Sequence, residues 1–366
     1  MSDPIYFCKK RMNHLKQFMN EKNIDLVCLV KDRKRRQQYN LNKRLANTPF
    51  GSALFILLDE NPVLLCTPDE AIDASDESWV EVQEIRSQEN LDSAIINFIN
   101  EKMKNENSKI GINLSVLTYT TYLYIKNNLK GELLNIESTI LPEVFFGLYP
   151  GEIKFQRKAS KLADIAITAI RESLAPGRRE CEIAAEAAYA MMSHGAESLK
   201  FHTIVGSGKR SAYIHSWPGD KKIKKGDLVL VDLGPIKDGY TADISRTFLV
   251  GKDDKKEKML NAVDKAIEMV LKNIKPGTSC RELDAISRRI LQENGYPDFP
   301  HGMGHPLSGF VVPTLSKDSQ DIEKIGMLHT IEPGVYLIGY GGVRFEENIV
   351  IKDNGFELLT KSPRII

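Results

Sequence analysis

The first 147 residues alternate between helical and extended hydrophobic patterns. Apolar residues recur at helical spacing in RMNHLKQFMNEKN and NLDSAIINFINEKMK, and the short apolar runs DLVCLV, SALFILLD, PVLLCT and KIGIN predict strands. Helices that alternate with short apolar strands are typical of a small α/β domain. The pattern breaks at FFGLYPGEI, where glycine and proline interrupt it. We therefore predict a first domain over residues 1–147 and a second over residues 148–366.

The second domain opens with a long amphipathic pattern and then turns to strands. GEIKFQRKASKLADIAITAIRESLAPG carries apolar residues three and four apart and ends in Pro-Gly, which predicts a long helix. Further helices are expected from Glu180 to about His194, at about 255–273 and at about 279–294. Extended patterns dominate from residue 203 onward.

Composition narrows the class of protein. The chain has 366 residues, 42% of them hydrophobic and 27% charged, with a formal net charge of +1, so it is neither disordered nor suited to a polyanionic partner such as nucleic acid. The N-terminal segment lacks the apolar stretch of a secretory signal, and the run ALFILL is too short to span a bilayer. We expect a cytoplasmic protein with no membrane partner. The scattered cysteines form no CxxC pair and indicate neither a disulfide framework nor a zinc knuckle.

Two carboxylates lie at the ends of a predicted hairpin in LVLVDLGPIKDGYTADISRT, residues 228–247. Asp232 and Asp243 belong to strand patterns separated by the turn signal GPIKDG, and the midpoint of the pair, 237.5, falls in that turn. In a hairpin that closes there, the two would be near-opposite partners on one face, with Cβ atoms about 5 Å apart. At this distance two carboxylates repel each other unless a cation lies between them.

The same arrangement recurs downstream in TIEPGVYLIGYGGVRFEENIVI. Glu332 and Glu346 are 14 residues apart, and their midpoint is Gly339, in a glycine-rich turn. With His305 of HGMGH, the two pairs supply four carboxylates and one imidazole, which suits two divalent metals. The glycines of HGMGH disfavour a helix, so we expect its histidines to act from a loop or strand. The alternative is that both pairs are ordinary solvent-facing hairpin charges.

The order of these residues resembles the creatinase-fold, or pita-bread, metallopeptidases, which include prolidase, aminopeptidase P and methionine aminopeptidase. The resemblance extends over the whole chain, because GYTADISRTF is similar to a strand of the family and YPGEIKFQRKASKLAD to the start of its catalytic domain. It implies an α+β fold with a pita-bread catalytic domain over residues 148–366. The first 147 residues resemble the smaller α/β creatinase-type N-terminal domain.

This resemblance also implies a ligand set. Asp243 and Glu346 match the carboxylates that bridge both metals in the family. Asp232 matches a ligand of one metal, and His305 and Glu332 match ligands of the other. The implied cofactors are two divalent ions per chain, with manganese as the first expectation and cobalt, iron or zinc as alternatives.

Further residues match groups that act on the substrate. Glu332 is similar to the proton shuttle of the family, a general base that later protonates the leaving amine. His215 and His301 match histidines that line the site and bind substrate. Arg344, two residues before Glu346, matches a family arginine that could orient the bridging carboxylate.

The sequence departs from the family at one loop. Family peptidases carry a histidine seven residues after the metal histidine, which hydrogen-bonds the substrate or the tetrahedral intermediate, but position 312 is Val here and Pro306 replaces the usual Gly. Loss of one such donor typically lowers the rate about 100- to 1,000-fold. His329 stands where the family usually has an apolar or hydroxyl residue; it is either a compensating group or a core or surface histidine.

The resemblance implies a dinuclear metal-dependent hydrolase that forms a homodimer. Its expected substrates are Xaa-Pro bonds in dipeptides or at the N-terminus of short peptides. Two alternatives stay open: the same metal site acting on a small non-peptide substrate, and a catalytically weak pseudo-peptidase. Metal content separates the pseudo-peptidase from the two enzymes, and a substrate panel separates the enzymes from each other.

Overall fold

The computed structural model describes most of the chain, in two units. The described residues are 3–31, 37–86, 89–103, 105–307 and 314–365. The units are Met1–Phe145 and Phe146–Ile366. Within the described residues, no helix has both the length and the apolar character that a bilayer span requires.

A mixed sheet organises the first unit. Its strands are β1 (Leu26–Val30), β2 (Ala53–Leu57), β3 (Val63–Cys66), β4 (Glu81–Glu84), β5 (Lys109–Ile112) and β6 (Glu132–Asn135). Its helices are α1 (Pro4–Glu21), α2 (Gln37–Leu45), α3 (Pro68–Glu77), α4 (Leu91–Lys102), α5 (Tyr119–Asn128) and α6 (Leu141–Phe145). The strand order is β4-β3-β2-β1-β5-β6, with β1 antiparallel to β2 and parallel to β5.

The apolar runs predicted the interior of this sheet but not its edges. β1, β2, β3 and β5 coincide with the four predicted runs and are almost entirely buried. β4 and β6 were missed because each lies at an edge, where most side chains face solvent and the sequences EVQE and ELLN show little apolar pattern. The Phe55 ring of β2 stacks on Phe98 of α4 at 4.0 Å, which joins the sheet to a covering helix.

The second unit contains two pairs of long helices and several short sheets. The helices are α7 (Ile153–Ser173), α8 (Glu180–Ser193), α9 (Asp254–Asn273) and α10 (Cys280–Glu293). The strands are β7 (Ser198–Leu199), β8 (Ile204–Ser207), β9 (Leu228–Leu233), β10 (Pro235–Lys237), β11 (Tyr240–Thr241), β12 (Ile244–Leu249), β13 (Leu328–Ile331), β14 (Gly334–Leu337), β15 (Gly341–Arg344), β16 (Glu347–Lys352) and β17 (Gly355–Leu358). Short 3₁₀ turns lie at Leu114–Val116, Pro150–Glu152 and Gly208–Ala212.

Each long helix ends where its sequence predicts. The first and third are followed by Pro-Gly, and the two glycines, Gly177 and Gly277, adopt φ of +94° and +88°, which residues with a side chain rarely tolerate. The predicted helices at about 255–273 and 279–294 agree with α9 and α10 to within a residue.

Two sheets of the second unit carry the hairpins that hold the carboxylates. One has the order β12-β9-β8 and the other β13-β16-β17, and the short β14-β15 ribbon extends the second hairpin. Fully buried side chains of α9 and α10, such as Val263, Ile267 and Leu283, form one cluster with Phe345 and Ile349. Burial of each such side chain stabilises the fold by about 1.5–3 kcal/mol. Packing against α9 and α10 therefore holds the second hairpin in place.

Candidate metal centre

The first hairpin brings Asp232 and Asp243 to one face, but with a different register from the prediction. Asp232 lies opposite Ser245, because the hairpin turns at Asp238-Gly239, one residue later than the midpoint of the two carboxylates. The prediction of near-opposite partners is therefore wrong. Asp243 is two residues from Ser245 and so shares its face, which makes the two carboxylates diagonal neighbours.

The second hairpin closes as its sequence predicts. Gly334 pairs with Arg344 on one side of the glutamates and Ile331 with Glu347 on the other. Both pairings have the same register, so Glu332 and Glu346 fall at opposing positions. The predicted turn at Gly339 is confirmed, with φ of +84° at that glycine.

His305 points one ring nitrogen at carboxylates from both hairpins. Its Nε2 lies 3.5 Å from Asp243 Oδ2 and 3.4 Å from Glu332 Oε1. Its Nδ1 lies 3.1 Å from the Pro306 carbonyl oxygen, so the Nδ1 proton is donated there and the Nε2 lone pair is left for a cation. The residue before it must be glycine, because a Cβ at Gly304 would lie 2.0 Å from the carbonyl oxygen of Thr330. As predicted, the HGMGH segment is not helical.

These residues fit a divalent cation. Asp243, His305 and Glu346 offer ligand atoms that all lie within 4.8 Å of one another. Asp232 Oδ1 is buried and accepts no hydrogen bond from the described residues, so it too is available as a ligand. Carboxylates with one imidazole are a suitable donor set for hard and borderline divalent metals.

The electrostatics of the cluster also favour a cation. Burial, followed by the charge of neighbouring Asp243, raises the pKa of Glu346 well above its usual range. Burial is the largest cause for Asp232 and Glu332 as well, and it raises the pKa of Asp232 to about 7 and that of Glu332 to about 8, although the Arg344 guanidinium opposes both shifts. A divalent cation would replace the protons that these carboxyl groups otherwise hold.

Arg344 connects the two hairpins. Its Nη2 donates to Asp232 Oδ2 at 2.7 Å, and its Nε donates to Ser245 Oγ at 2.8 Å. The Ser245 hydroxyl in turn donates to Glu346 Oε2 at 2.8 Å. Arg344 therefore contacts Asp232 directly and reaches Glu346 only through the hydroxyl of Ser245.

His215 and His301 line the cavity above the carboxylates, which has a volume of about 660 Å³. His215 is exposed in its wall. His301 is engaged by the protein: its Nδ1 lies 2.8 Å from the Gly302 carbonyl oxygen and its Nε2 2.8 Å from the Tyr336 hydroxyl. Burial is the main reason that its pKa is lowered to about 4, so the ring is neutral and Nε2 accepts a hydrogen bond from the Tyr336 hydroxyl. Tyr336 in turn accepts a hydrogen bond from Arg344 Nη1 at 3.0 Å.

Several residues at the site were missed by sequence reasoning. Lys200 donates from Nζ to Asp243 Oδ2 at 2.8 Å. Burial alone would lower the pKa of Lys200, but Asp243 and the neighbouring carboxylates raise it, so its side chain is an ammonium ion. Asn348 bonds both the N–H and the carbonyl of Asp243. The available signal for Asn348 was its position two residues after Glu346 on the same strand face; the stretch SLKFHT offered none for Lys200.

His329 belongs to the core. It is fully buried, and its Nε2 lies 3.0 Å from Glu323 Oε2. It is not among the described residues that line the cavity, so it does not replace the missing loop histidine. Val312, which stands at the position of that histidine, lies in residues 308–313, outside the described part of the chain.

Known proteins share both the sequence pattern and the fold. Residues 154–353 match the family model of metallopeptidase family M24, and residues 11–142 match that of the creatinase/prolidase N-terminal domain. A Xaa-Pro dipeptidase from Pyrococcus furiosus is 33% identical over 366 residues, covering 97% of this chain and 99% of the relative. A prolidase structure from Pyrococcus horikoshii OT3 has a TM-score of 0.84 at 31% identity and covers 97% of this chain and 99% of its own. For an X-Pro aminopeptidase structure from Thermotoga maritima the TM-score is 0.86 at 26% identity, again with 97% and 99% coverage.

Proposed function

Because the chain belongs to metallopeptidase family M24, with a creatinase-type N-terminal domain before its pita-bread catalytic domain, we propose that it is a dinuclear Xaa-Pro dipeptidase. The observation that carries the proposal is the convergence of two carboxylate pairs and His305 on one cavity, in a chain similar over nearly its whole length to a Xaa-Pro dipeptidase. Action at the N-terminus of longer peptides is the nearest variant of this activity. The proposed domain limits remain residues 1–147 and 148–366.

The proposed ligands divide between two cations. Asp243 and Glu346 would be shared by the two cations, Asp232 would hold one of them, and His305 and Glu332 would hold the other. Manganese is the first choice, with cobalt, iron or zinc as alternatives. When bound, such cations polarise the scissile carbonyl and activate a water molecule, so no serine or cysteine nucleophile is required.

Glu332 is the proposed proton carrier. Thr330 Oγ1 donates to Glu332 Oε1 at 3.2 Å and holds the carboxyl group in place beside His305. A carboxyl group held in this position can take up a proton and release it again. We propose that it accepts a proton from the attacking water and donates it to the leaving amine.

The cavity suits a short substrate that contains proline. Its volume of about 660 Å³ lies in the usual range of small-molecule sites. Apolar lining residues offer a surface for the pyrrolidine ring: Phe201, Ile204, Ile214 and Pro300. His215 and His301 are the proposed hydrogen-bonding groups for the substrate, and His301 would exchange its Tyr336 partner for the substrate. Arg344 is the proposed group that positions Asp232 and Tyr336.

A second candidate keeps the metals and changes the substrate. Valine at position 312 removes a donor that stabilises the transition state in the peptidases this chain resembles. This substitution favours either slow peptidase turnover or a small non-peptide substrate.

A substrate panel tests the proposal. The manganese-reconstituted chain should hydrolyse Ala-Pro and Gly-Pro and should leave Ala-Ala, the control without proline, almost untouched. Arg-Pro-Pro reports on aminopeptidase action. His215→Ala should lower kcat by about 10- to 1,000-fold with unchanged metal content, because the histidine contacts substrate rather than cation. No hydrolysis of any Xaa-Pro peptide with manganese or cobalt would exclude the peptidase activity and leave the non-peptide substrate as the remaining candidate.

We also propose that the protein is a homodimer, as the family resemblance implies. Light scattering at micromolar concentration should give twice the monomer mass of 41.2 kDa. A mass equal to that of the monomer would contradict this proposal.

A further inference from the structure

Lys200 places a positive charge of the protein inside the carboxylate cluster. It directly follows the short strand β7, and its backbone N–H donates to the Gly234 carbonyl at 2.7 Å, which anchors the residue beside the first hairpin. The absent side chain of Gly234 leaves room for it, since a Cβ there would lie 3.2 Å from the Lys200 Cβ. From this anchor the side chain reaches Asp243 Oδ2 at 2.8 Å and lines the cavity. Lys200 is therefore held at the site by its backbone.

The oxygen that Lys200 contacts is one that a cation would need. Asp243 is the proposed carboxylate between the two cations, and the same Oδ2 lies 3.5 Å from His305 Nε2. An ammonium ion at hydrogen-bonding distance occupies one direction of approach to this oxygen and repels a nearby divalent cation. Lys200 and a full pair of cations therefore compete for Asp243.

The net charge of the ligand cluster also indicates that Lys200 competes with a second cation. Carboxyl groups that bind a metal lose their protons, so the metal-bound cluster carries four negative charges. The arginine and lysine bonded to it, Arg344 and Lys200, contribute two positive charges. The remaining charge of minus two is neutralised by one divalent cation. A second cation would enter a cluster that is already neutral, unless Lys200 moves away from it.

We propose that Lys200 is an internal counter-ion that competes with the second metal ion. One divalent cation binds while the ammonium remains on Asp243, and the second binds only when that hydrogen bond is broken. The side chain is 27% exposed and faces the cavity, so it has space into which it can withdraw. Lys200 therefore weakens the second binding step. This inference rests on the proposed two-cation site, whose substrate is tested separately.

A second lysine provides a matched control. Lys221 Nζ lies 2.9 Å from Asp227 Oδ2, and its side chain is 28% exposed, so the pair resembles Lys200–Asp243 in distance and exposure. Neither residue of the control pair lines the cavity. Removal of this charge should perturb the fold to a similar degree without relieving competition for metal.

The experiment is a calorimetric titration of the metal-free, full-length chain with Mn²⁺, together with elemental analysis. For wild type we expect two binding steps, the second much weaker. Lys200→Met should strengthen the second step by about 10- to 100-fold, because a charge-assisted hydrogen bond no longer has to break. Lys200→Arg, which keeps the charge, and Lys221→Met should both remain close to wild type.

Electron paramagnetic resonance gives an independent measurement at one equivalent of Mn²⁺. Wild type should show isolated Mn²⁺ ions, whereas Lys200→Met should show a larger share of spin-coupled pairs, because its second site fills at a lower concentration of free Mn²⁺. If Lys200→Met folds poorly, Lys200→Ser provides the same comparison. The inference is overturned if the second dissociation constant does not differ between wild type and the Lys200 variants, or if Lys221→Met strengthens it equally.

The outcomes separate this inference from the proposed activity. If no Xaa-Pro peptide is hydrolysed but Lys200→Met strengthens the second step, the role of Lys200 stands and the substrate proposal fails. If the peptides are hydrolysed and the titrations coincide, the substrate proposal stands and the role of Lys200 is wrong.

Discussion

The two halves of the second unit share one plan, 100 residues apart, but balance their charges differently. The helices α7 and α9 end at Ser173 and Asn273, α8 and α10 begin at Glu180 and Cys280, and the first strands of the two hairpins begin at Leu228 and Leu328. Asp232 and Glu332 occupy corresponding positions. The two halves share few residues at corresponding positions. The repeat is recognised from the positions of its turns and helix ends instead.

The difference lies in what each carboxylate pair contacts. In the first hairpin Asp232 is bonded to Arg344 and Asp243 to Lys200, both of them cations of the protein. In the second, the hydrogen-bond donors are the neutral hydroxyls of Thr330 and Ser245. The first pair therefore has counter-charges of the protein in direct contact, while the second depends on protons or bound cations. Burial is the largest cause of the raised pKa at Glu332 and Glu346, and the neighbouring carboxylate of Asp243 adds to it.

A second difference lies in two buried positions that correspond between the halves. The first half has the buried apolar residues Ile223 and Val229, and the corresponding positions of the second half hold the buried ion pair Glu323 and His329. Burying a charged pair requires that each charge keep its partner, so the second half has a polar contact that the first half does not need.

The largest expected effect comes from replacing one of two corresponding carboxylates, Glu332 or Asp232, with its amide. Glu332→Gln should lower kcat on Ala-Pro by about 100- to 10,000-fold even at saturating Mn²⁺, because an amide cannot carry the proton. Asp232→Asn, the corresponding change in the first hairpin, should lose mainly metal affinity and regain activity as Mn²⁺ is raised. Steady-state kinetics over a series of Mn²⁺ concentrations measures both. Recovery of Glu332→Gln at high Mn²⁺ would show that its loss reflects metal binding alone.

A smaller effect is expected for the ion pair that joins the halves. Arg246 of the first half and Glu347 of the second are 3.0 Å apart with side chains 0% and 2% exposed. Arg246→Met should lower the free energy of unfolding by about 3–5 kcal/mol, because it removes a partner of a buried carboxylate. Urea titration measures this loss. The exposed pair Arg289–Glu293 is the control, and Arg289→Met should cost less than about 1 kcal/mol. Equal losses in the two variants would contradict the prediction.

The smallest effect is the pH dependence contributed by the Glu323–His329 pair of the second half. Burial alone would lower the pKa of His329, but the Glu323 carboxylate beside it raises the pKa above the usual 6.5. Because the folded-state pKa is the higher one, this pair stabilises the fold fully below about pH 6.5, and the contribution is lost as pH rises through the folded-state pKa. The urea midpoint of wild type should therefore fall as the pH is raised from 6 to 9.

A double variant that copies the first half provides the control for this pH effect. Glu323→Ile with His329→Val introduces the residues found at 223 and 229. It should retain stability, since apolar replacement of a whole buried pair is often neutral, and its midpoint should fall less with pH than that of wild type. If the two proteins showed the same dependence on pH, the source of the effect would lie elsewhere in the chain.

Local patterns in the sequence determined much of this protein. The α+β fold class and the family are confirmed, because a periodic apolar face, a Pro-Gly stop and a glycine-rich turn act within a few residues of each other. The same local rules led to the two carboxylate hairpins. A register error of two residues at Asp243 did not change its face, since strand side chains alternate with a period of two.

Only the tertiary structure decided which groups neutralise those carboxylates. Lys200 and Asp243 are 43 residues apart, Asn348 and Asp243 are 105 apart, and Arg344 and Asp232 are 112 apart. Such contacts depend on how separate strands pack, and nothing in the residues next to Lys200 indicates which carboxylate it will meet. The edge strands β4 and β6 were missed for the same reason, because their pairing is set by neighbours in the sheet while their side chains face solvent.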